Sequence, residues 1–313
     1  LTGDTITYQA LDNNGYGYIG MDSTRINVGG DNGSEASKNL RKGLATILAV
    51  YRDTVVNSYY GERATVIQYP ITNTSWAAPR PNDEGYEIAF STDVDGNPIY
   101  TADMTDEEKY EAAKKAAYGF FLAAGFVDAD GDGKFEEAPA GARLTYEATV
   151  PGGGTGDHPA YGIFEAAKTA LAEFGITLEI NDPADTNELW DGLDADTIDM
   201  WAAAWGSSSD PDMYQVYHSS NAGGNGSNHY SVTDAQLDEL IIIARESDNN
   251  TYRKSVYKEC FEILMDWACE VPTYQRQNCT IFSTKRVNVD TLPKDMTPYW
   301  GWAAEIETLE LNK

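Results

Sequence analysis

The chain has 313 residues, 42% hydrophobic and 12% aromatic, with 22 basic against 50 acidic side chains and a formal net charge of −28. That apolar content supports a packed core and excludes global disorder, and the length suits one large domain or two modest ones. The charge argues against a nucleic-acid or polyphosphate partner, whose like charge the long-range field would repel. It suits cationic ligands such as Lys- or Arg-rich peptides, and equally the plain solubility of a secreted protein.

In chain order, residues 5–21 alternate loosely and read as strand, turn at Asn13-Asn14-Gly15, strand. Ser34 is placed to cap a helix running to about Ser58, with Leu40, Leu44, Ile47, Leu48, Tyr51 and Val55 on its buried face. Residues 68–105 are rich in Pro, Asn, Asp and Gly and predict a long loop with short strands. Thr105 caps a second helix, with Glu107 and Glu108 in its first turn, ending near Gly125. Then come strand 143–150, the Gly-rich loop 152–156, helix 159–174, strand 176–180 and a short helix near Leu189. Strand 198–205, helices 233–247 and 249–268, strand 271–282 and an alternating tail at 302–311 complete the order. Strands alternating with helices of this length indicate an α/β layered domain with a mixed sheet flanked by helices. No internal repeat or linker divides it.

No run approaches the ~20 apolar residues of a membrane span. No signal peptide begins at Leu1, so an export signal is expected upstream of it. Cys260, Cys269 and Cys279 are too few and too odd in number for a disulfide framework. Cys260 falls on a helical apolar stripe, while Cys269 and Cys279 flank a helix-to-strand connection where one bridge is an option.

The most informative segment is 201–219, WAAAWGSSSDPDMYQVYHS. An apolar strand ending at Trp205 runs into Gly206, Ser207, Ser208, Ser209 and Asp210-Pro211-Asp212, and aromatics follow. This arrangement presents backbone groups and hydroxyls to a ligand. The competing reading is that Asp210-Pro211-Asp212 starts a turn and caps the next helix. Asp128, Asp130, Asp132, Gly133 and Glu136 match the first half of a calcium loop, with oxygen donors at alternate positions. The bidentate glutamate expected eleven residues after Asp128 is replaced by Pro139, and the alternative is a turn of Asx hydrogen bonds. Such a calcium ion would be structural; no other cofactor is required. Residues 151–156 lack the ending of a phosphate loop and read as a connection. His158, His218 and His229 have no metal-ligand spacing.

These segments resemble family 5 of the bacterial extracellular solute-binding proteins, the peptide receptors of ABC importers. The resemblance rests on Trp205-Gly206 with Asp210-Pro211-Asp212, on Leu40 to Leu44 through Tyr51-Arg52-Asp53 and Tyr60-Gly61, and on Phe121 to Phe126 with Asp128 to Gly133. Phe174-Gly175-Ile176, Asn228-His229-Tyr230, Leu237-Asp238, Arg253, Tyr257 and Val271-Pro272-Thr273-Tyr274 continue it in order. It implies a periplasmic-binding-protein-like (type II) lobe over 21–270, the second of a two-lobe receptor. Residues 1–20 and 271–313 would cross to or return from a first lobe whose main body is absent here.

The implied protein is no enzyme. It is an extracellular or periplasmic, lipid-anchored monomer that hands oligopeptides to a membrane permease. The resemblance places Tyr214, Tyr217, Tyr230, Tyr274, Trp300 and Trp302 near the cleft or hinge, and offers Arg276 for a ligand carboxylate. Where relatives carry an amine-anchoring aspartate, this sequence has Ser208. That leaves two options: Asp210 has taken the role, or the cargo is an oligosaccharide or metal chelate. An extracellular glycan-active enzyme or carbohydrate-binding module is the alternative from another class, on the strength of seven Trp and twenty Tyr.

Overall fold

The computed structural model describes residue 3, residues 5–224 and residues 226–312. Leu1, Thr2, Asp4 and Lys313, at the ends of the expected crossing segments, and Asn225 within the expected lobe lie outside the described residues.

One strand organises the sheet. β1 (Ile6–Asp12) and β2 (Gly15–Met21) do not fold back on each other. Both run antiparallel to β7 (Glu270–Ser283): Ile6 pairs with Ser283, Asp12 with Gln277, Gly17 with Tyr274 and Gly20 with Glu270. The expected turn at Asn13-Asn14-Gly15 is therefore a kink in one nearly continuous strand, not a chain reversal. Backbone and side chain pin it: Asn13 N–H donates to the Arg276 carbonyl at 2.8 Å, and Gln275 Nε2 donates to the Asn13 carbonyl at 2.8 Å.

Seven strands form the sheet in the order β1-β7-β2-β6-β4-β5, with β3 (Ala64–Val66) also pairing with β7. β6 (Met200–Gly206) is antiparallel to β2, whereas β4 (Thr145–Thr149) is parallel to both β6 and β5 (Thr177–Asn181). β2 and the first half of β7 thus lie inside the sheet. Only β1 with the second half of β7 leaves it as a two-stranded ribbon, and the expected boundaries at 20 and 271 fall near the end of β2 and the start of β7.

Period-two alternation divides the core in two. Ile19 and Met21 of β2 join one cluster with Leu40, Leu44 and Ile47 of α1 (Glu35–Val50), Phe121 of α3 (Asp106–Ala124) and Phe164 of α4 (Pro159–Glu173). Tyr16 and Tyr18 join the other. There they meet Leu189 of α5 (Asn187–Asp194), Tyr217 of α6 (Tyr214–Tyr217), Leu237 and Ile241 of α7 (Ala235–Glu246), and Tyr257 and Phe261 of α8 (Asn250–Trp267). Cys260 is core as expected, Cys269 is buried and Cys279 exposed, and all three are free thiols.

Local signals set most helix ends. Ser34 accepts from Ser37 N–H, and Thr105 with Glu108 forms both halves of a capping box, while left-handed Gly125 ends α3. The helix expected to run from Ser34 to Ser58 is broken at Tyr51 into α1 and α2 (Arg52–Tyr60). The Arg52 guanidinium there is buried and donates to the carbonyls of Ala49, Ile67 and Pro272, and burial lowers its pKa to about 10. Residues 68–105 form no strand among the described residues, only the bridge Thr92–Pro98. The alternating tail forms 3₁₀ turns over Trp302–Thr308.

Two glycines of β2 let aromatic rings lie flat on the sheet. A Cβ on Gly17 would sit 2.4 Å from the Tyr274 ring, and one on Gly20 would sit 2.3 Å from the Trp201 indole. Gly20→Ala is expected to cost about 1–3 kcal/mol by overpacking. Gly301→Ala, which meets nothing within 4 Å, should stay within about 0.5 kcal/mol of the parent. Denaturant unfolding of both variants checks this; equal midpoints would contradict the packing argument.

Candidate ligand-binding site

β2 and β6 run side by side inside the sheet, and where the pair ends Gly15 lies opposite Gly206 and Tyr16 opposite Trp205. Beyond Gly206 the serine-rich turn is held by the β1–β2 kink. The Asn14 carbonyl accepts Ser207 N–H at 2.9 Å, the Asn14 amide donates to the Ser207 carbonyl, and Asn14 Oδ1 accepts from the Thr74 hydroxyl at 3.0 Å. From the far end of the chain, the Tyr299 hydroxyl reaches the Ser208 carbonyl at 3.3 Å.

The turn borders a cavity of about 370 Å³, within the range of small-molecule sites. Trp205, Gly206, Ser207, Ser208 and Asp210 form one side, Ile71, Thr72 and Ser75 another, and Tyr16, Met213 and Tyr217 also line it. Trp205 is fixed by stacking on Tyr18 at 5.8 Å and by donating to the Tyr230 hydroxyl at 3.2 Å. The remaining expected ligand residues lie away from this cavity. Ser209 is exposed on the turn. The Tyr214 ring lies 4.4 Å from that of His218, tilted by 35°, with the Arg245 guanidinium over it. Tyr274 is buried against Tyr60 and Gly17. Arg276 is exposed on β7 opposite Ala64.

Both carboxylates of the turn are already engaged. Arg253 Nη2 holds Asp210 at 2.7 Å while donating to the Tyr257 hydroxyl at 3.0 Å, its Nε donates to the Ala244 carbonyl, and its guanidinium lies over the Trp76 ring. Asp212 accepts from Tyr214 N–H at 3.0 Å and meets Arg245 Nε at 3.3 Å. Asp212 therefore forms an Asx turn just ahead of α6, whose N-cap is Met213, and Asp210 borders the cavity while paired with Arg253.

An unbalanced carboxyl lies behind the cavity wall. Glu270, the first residue of β7, is 4% exposed. Its Oε2 accepts from the Tyr217 hydroxyl at 2.8 Å, the Tyr217 and Tyr16 hydroxyls are 3.3 Å apart, and its Oε1 has no hydrogen-bond partner among the described residues. Burial pushes its pKa up to about 7, against the opposing pull of the Tyr230, Tyr217 and Tyr16 hydroxyls. Neither Glu270 nor Tyr16, Asn14 and the 70–75 segment stood out in the sequence, because each joins the site only through the sheet order and one long loop.

The family model described as bacterial extracellular solute-binding proteins, family 5 Middle, matches residues 3–227. The chain belongs to that family. No curated protein matches this family 5 chain. Solved structures do. The oligopeptide-binding protein AppA from Bacillus subtilis, in complex with a nonapeptide, superposes with a TM-score of 0.68 at 18% identity, over 99% of this chain and 53% of its own. NikZ from Campylobacter jejuni, in complex with Ni(L-His), gives 0.65 at 19% identity over 99% and 54%. An oligopeptide-binding protein from Thermus thermophilus, complexed with a pentapeptide, gives 0.65 at 16% over 96% and 48%. The chain thus spans about half the length of these proteins and shares their fold, a mixed sheet flanked by helices as in periplasmic binding proteins. Among the described residues no helix is long and apolar enough to cross a membrane.

Elsewhere in this family 5 chain, Asp128, Asp130, Asp132 and Glu136 bring one oxygen each within 4.8 Å of one another. Hard oxygen donors suit calcium, yet these carboxylates also serve the loop itself. Asp128 accepts from Gly131 N–H, Gly133 N–H and the Tyr118 hydroxyl, Asp130 from Asp132 N–H, Asp132 from Lys134 N–H and Glu136 from Ala129 N–H. The Gly-rich loop is closed by Asp182, which accepts Gly156 N–H at 2.6 Å, consistent with a connection. His158 caps α4 by accepting Ala160 N–H, and burial lowers its pKa to about 4.

Glu270 gives a pH signature. An acid whose folded pKa exceeds its unfolded value binds more protons when folded, so its contribution is fully present below the unfolded value and is lost as pH rises through the folded one. Moving from 4.5 to about 7 corresponds to about 3 kcal/mol lost between roughly pH 4.5 and 7. Glu270→Gln should remove that loss. Unfolding free energies of parent and variant at pH 5 and pH 8 test it, and parallel changes would contradict it.

Proposed function

We propose that this chain belongs to the substrate-binding component of an ABC importer, capturing oligopeptides in an inter-lobe cleft and delivering them to a membrane permease. Residues 21–270 form the second lobe in this reading, and 1–20 with 271–313 are the crossing and returning segments. The receptor works outside the cytoplasm as a lipid-anchored monomer and performs no chemistry on its cargo. Closure comes from hinge bending, favoured by contacts available only in the closed state.

The observation that supports this most is the cavity bordered by the 205–212 turn. It offers backbone groups, serine and threonine hydroxyls and an aromatic wall in one place. Such a surface satisfies a peptide main chain while tolerating varied side chains. Asp210 and Asp212 are each held by an arginine, which removes them from acid–base work and weighs against a glycan-active enzyme. The same engagement leaves neither as a free amine anchor, and this favours a second reading in which the same fold carries a metal chelate or oligosaccharide. That NikZ was solved with Ni(L-His) supports keeping it.

Calorimetric titration of the full-length protein with a pool of three- to six-residue peptides, beside an N-acetylated copy, tests the proposal. Saturable heat from at least one pool is the expected result. Silence from both, with heat from chelates or oligosaccharides, would replace the cargo.

A further inference from the structure

A second cavity, of about 470 Å³, lies between α1, α3, α8 and the long loop. It is larger than the cavity beside the serine-rich turn, and the two share no lining residue. The loop serves them in succession. Its 70–75 stretch borders the first cavity, and Gln68, Tyr69 and the 85–96 stretch border the second.

The loop side of this second cavity is held by bonds of its own. The Tyr69 hydroxyl accepts Glu87 N–H at 2.8 Å, Gln68 Oε1 accepts Ala89 N–H at 3.0 Å, and the Ser91 hydroxyl donates to the Ile88 carbonyl at 2.8 Å. Gln68 Oε1 also accepts from Arg52 Nη2 at 3.2 Å, which ties the loop to a buried arginine. Phe90 has a backbone φ of 56°, a left-handed conformation that a bulky residue adopts only at a cost. The cavity is thus built into the fold, as small-molecule sites commonly are.

Its lining combines an apolar wall with surplus negative charge. Ile88, Phe90 and Val94 from the loop, Phe120 from α3 and Met265 from α8 supply the wall. Ile88 is 50% and Val94 40% exposed, apolar surface that a ligand would remove from water. Two lysines and five carboxylates also line the cavity. Both lysines are engaged: Lys42 meets Asp266 at 2.5 Å, and Lys258 donates to the Glu84 carbonyl at 3.0 Å with Glu262 at 3.9 Å. Asp93 is turned to its own loop, accepting from Asp95 and Asn97 N–H. Glu35 has only Lys38, at 3.5 Å, and the Glu87 side chain has no hydrogen bond or ion pair among the described residues.

We propose that this cavity is a second ligand site, separate from that of the cargo, for a small amphipathic organic cation. Its apolar body lies against Ile88, Phe90 and Val94, and its charged head is drawn to Glu87. This site does not rest on the peptide reading.

Calorimetric titration of the full-length protein with three probes of one shape tests it: 2-phenylethylammonium, neutral 2-phenylethanol and anionic 3-phenylpropanoate. The ammonium should bind saturably, about threefold or more tighter than the alcohol, with the carboxylate weakest. Glu87→Gln should bring the ammonium down to the affinity of the alcohol, and Ile88→Ala should weaken all three probes. Both side chains are exposed, so both variants should fold and bind cargo peptides as the parent does. Equal affinities for the three probes, no saturable heat from the ammonium, or an unchanged ratio in Glu87→Gln would overturn the proposal. So would displacement of the ammonium by a cargo peptide, which would place it in the first cavity. An ammonium preference that persists in a protein binding no peptide would sink the cargo reading and leave this site standing.

Discussion

The backbone ladder of β7 is the constraint on which the molecule depends. Its first half pairs with β2 and then β3, the two ladders sharing Tyr274, and its second half pairs with β1. Pro272 lies in the part paired with β2, where a residue without an N–H removes a ladder donor. The register between β2 and β7 shifts between Gly17 and Tyr18, and Pro272 is the partner of Tyr18. A bulge absorbs the missing donor, and the Pro272 carbonyl is used by Arg52. The same strand carries Glu270, Tyr274 and Arg276, so its register fixes at once the buried carboxyl, the ring over Gly17 and the exposed guanidinium.

Buried arginines complete this frame without carboxylates. Arg41 donates to the carbonyls of Trp267, Ile26 and Asn32 while lying over the Trp267 ring. Arg52 does the same between α2, the start of the long loop and β7. Carbonyls can satisfy a guanidinium fork geometrically, but they supply no full counter-charge. The acid-rich composition therefore says little about the interior, where Arg41 and Arg52 meet backbone carbonyls and Glu270 meets tyrosines.

What could be read from the sequence follows from how far each signal travels. Ser34, Thr105 with Glu108, and Gly125 act on neighbours within one turn, and their helices begin or end where those residues require. The serine-rich turn was likewise legible, because its polar run directly follows an apolar strand. Asn13-Asn14-Gly15 carries the letters of a reversal, yet β7 offers a ladder on both sides of it, and pairing outweighs turn propensity. The break at Tyr51 lies within an uninterrupted apolar stripe, and the neighbouring Arg52 is held by the distant carbonyls of Ile67 and Pro272, which no local signal announces. Glu270 was invisible for a related reason: a glutamate at a strand start reads as solvated until topology places three tyrosines around it.

The ribbon of β1 and β7 has a mechanical consequence. A pair of antiparallel strands resists stretching through its hydrogen bonds, but it lacks a third strand to oppose torsion. The axis of the ribbon passes the Asn13-Asn14 kink, where Asn14 is bonded to Ser207. The inner end of the ribbon and the wall of the cavity are therefore joined at one residue, Asn14, whose backbone and side chain both bond Ser207.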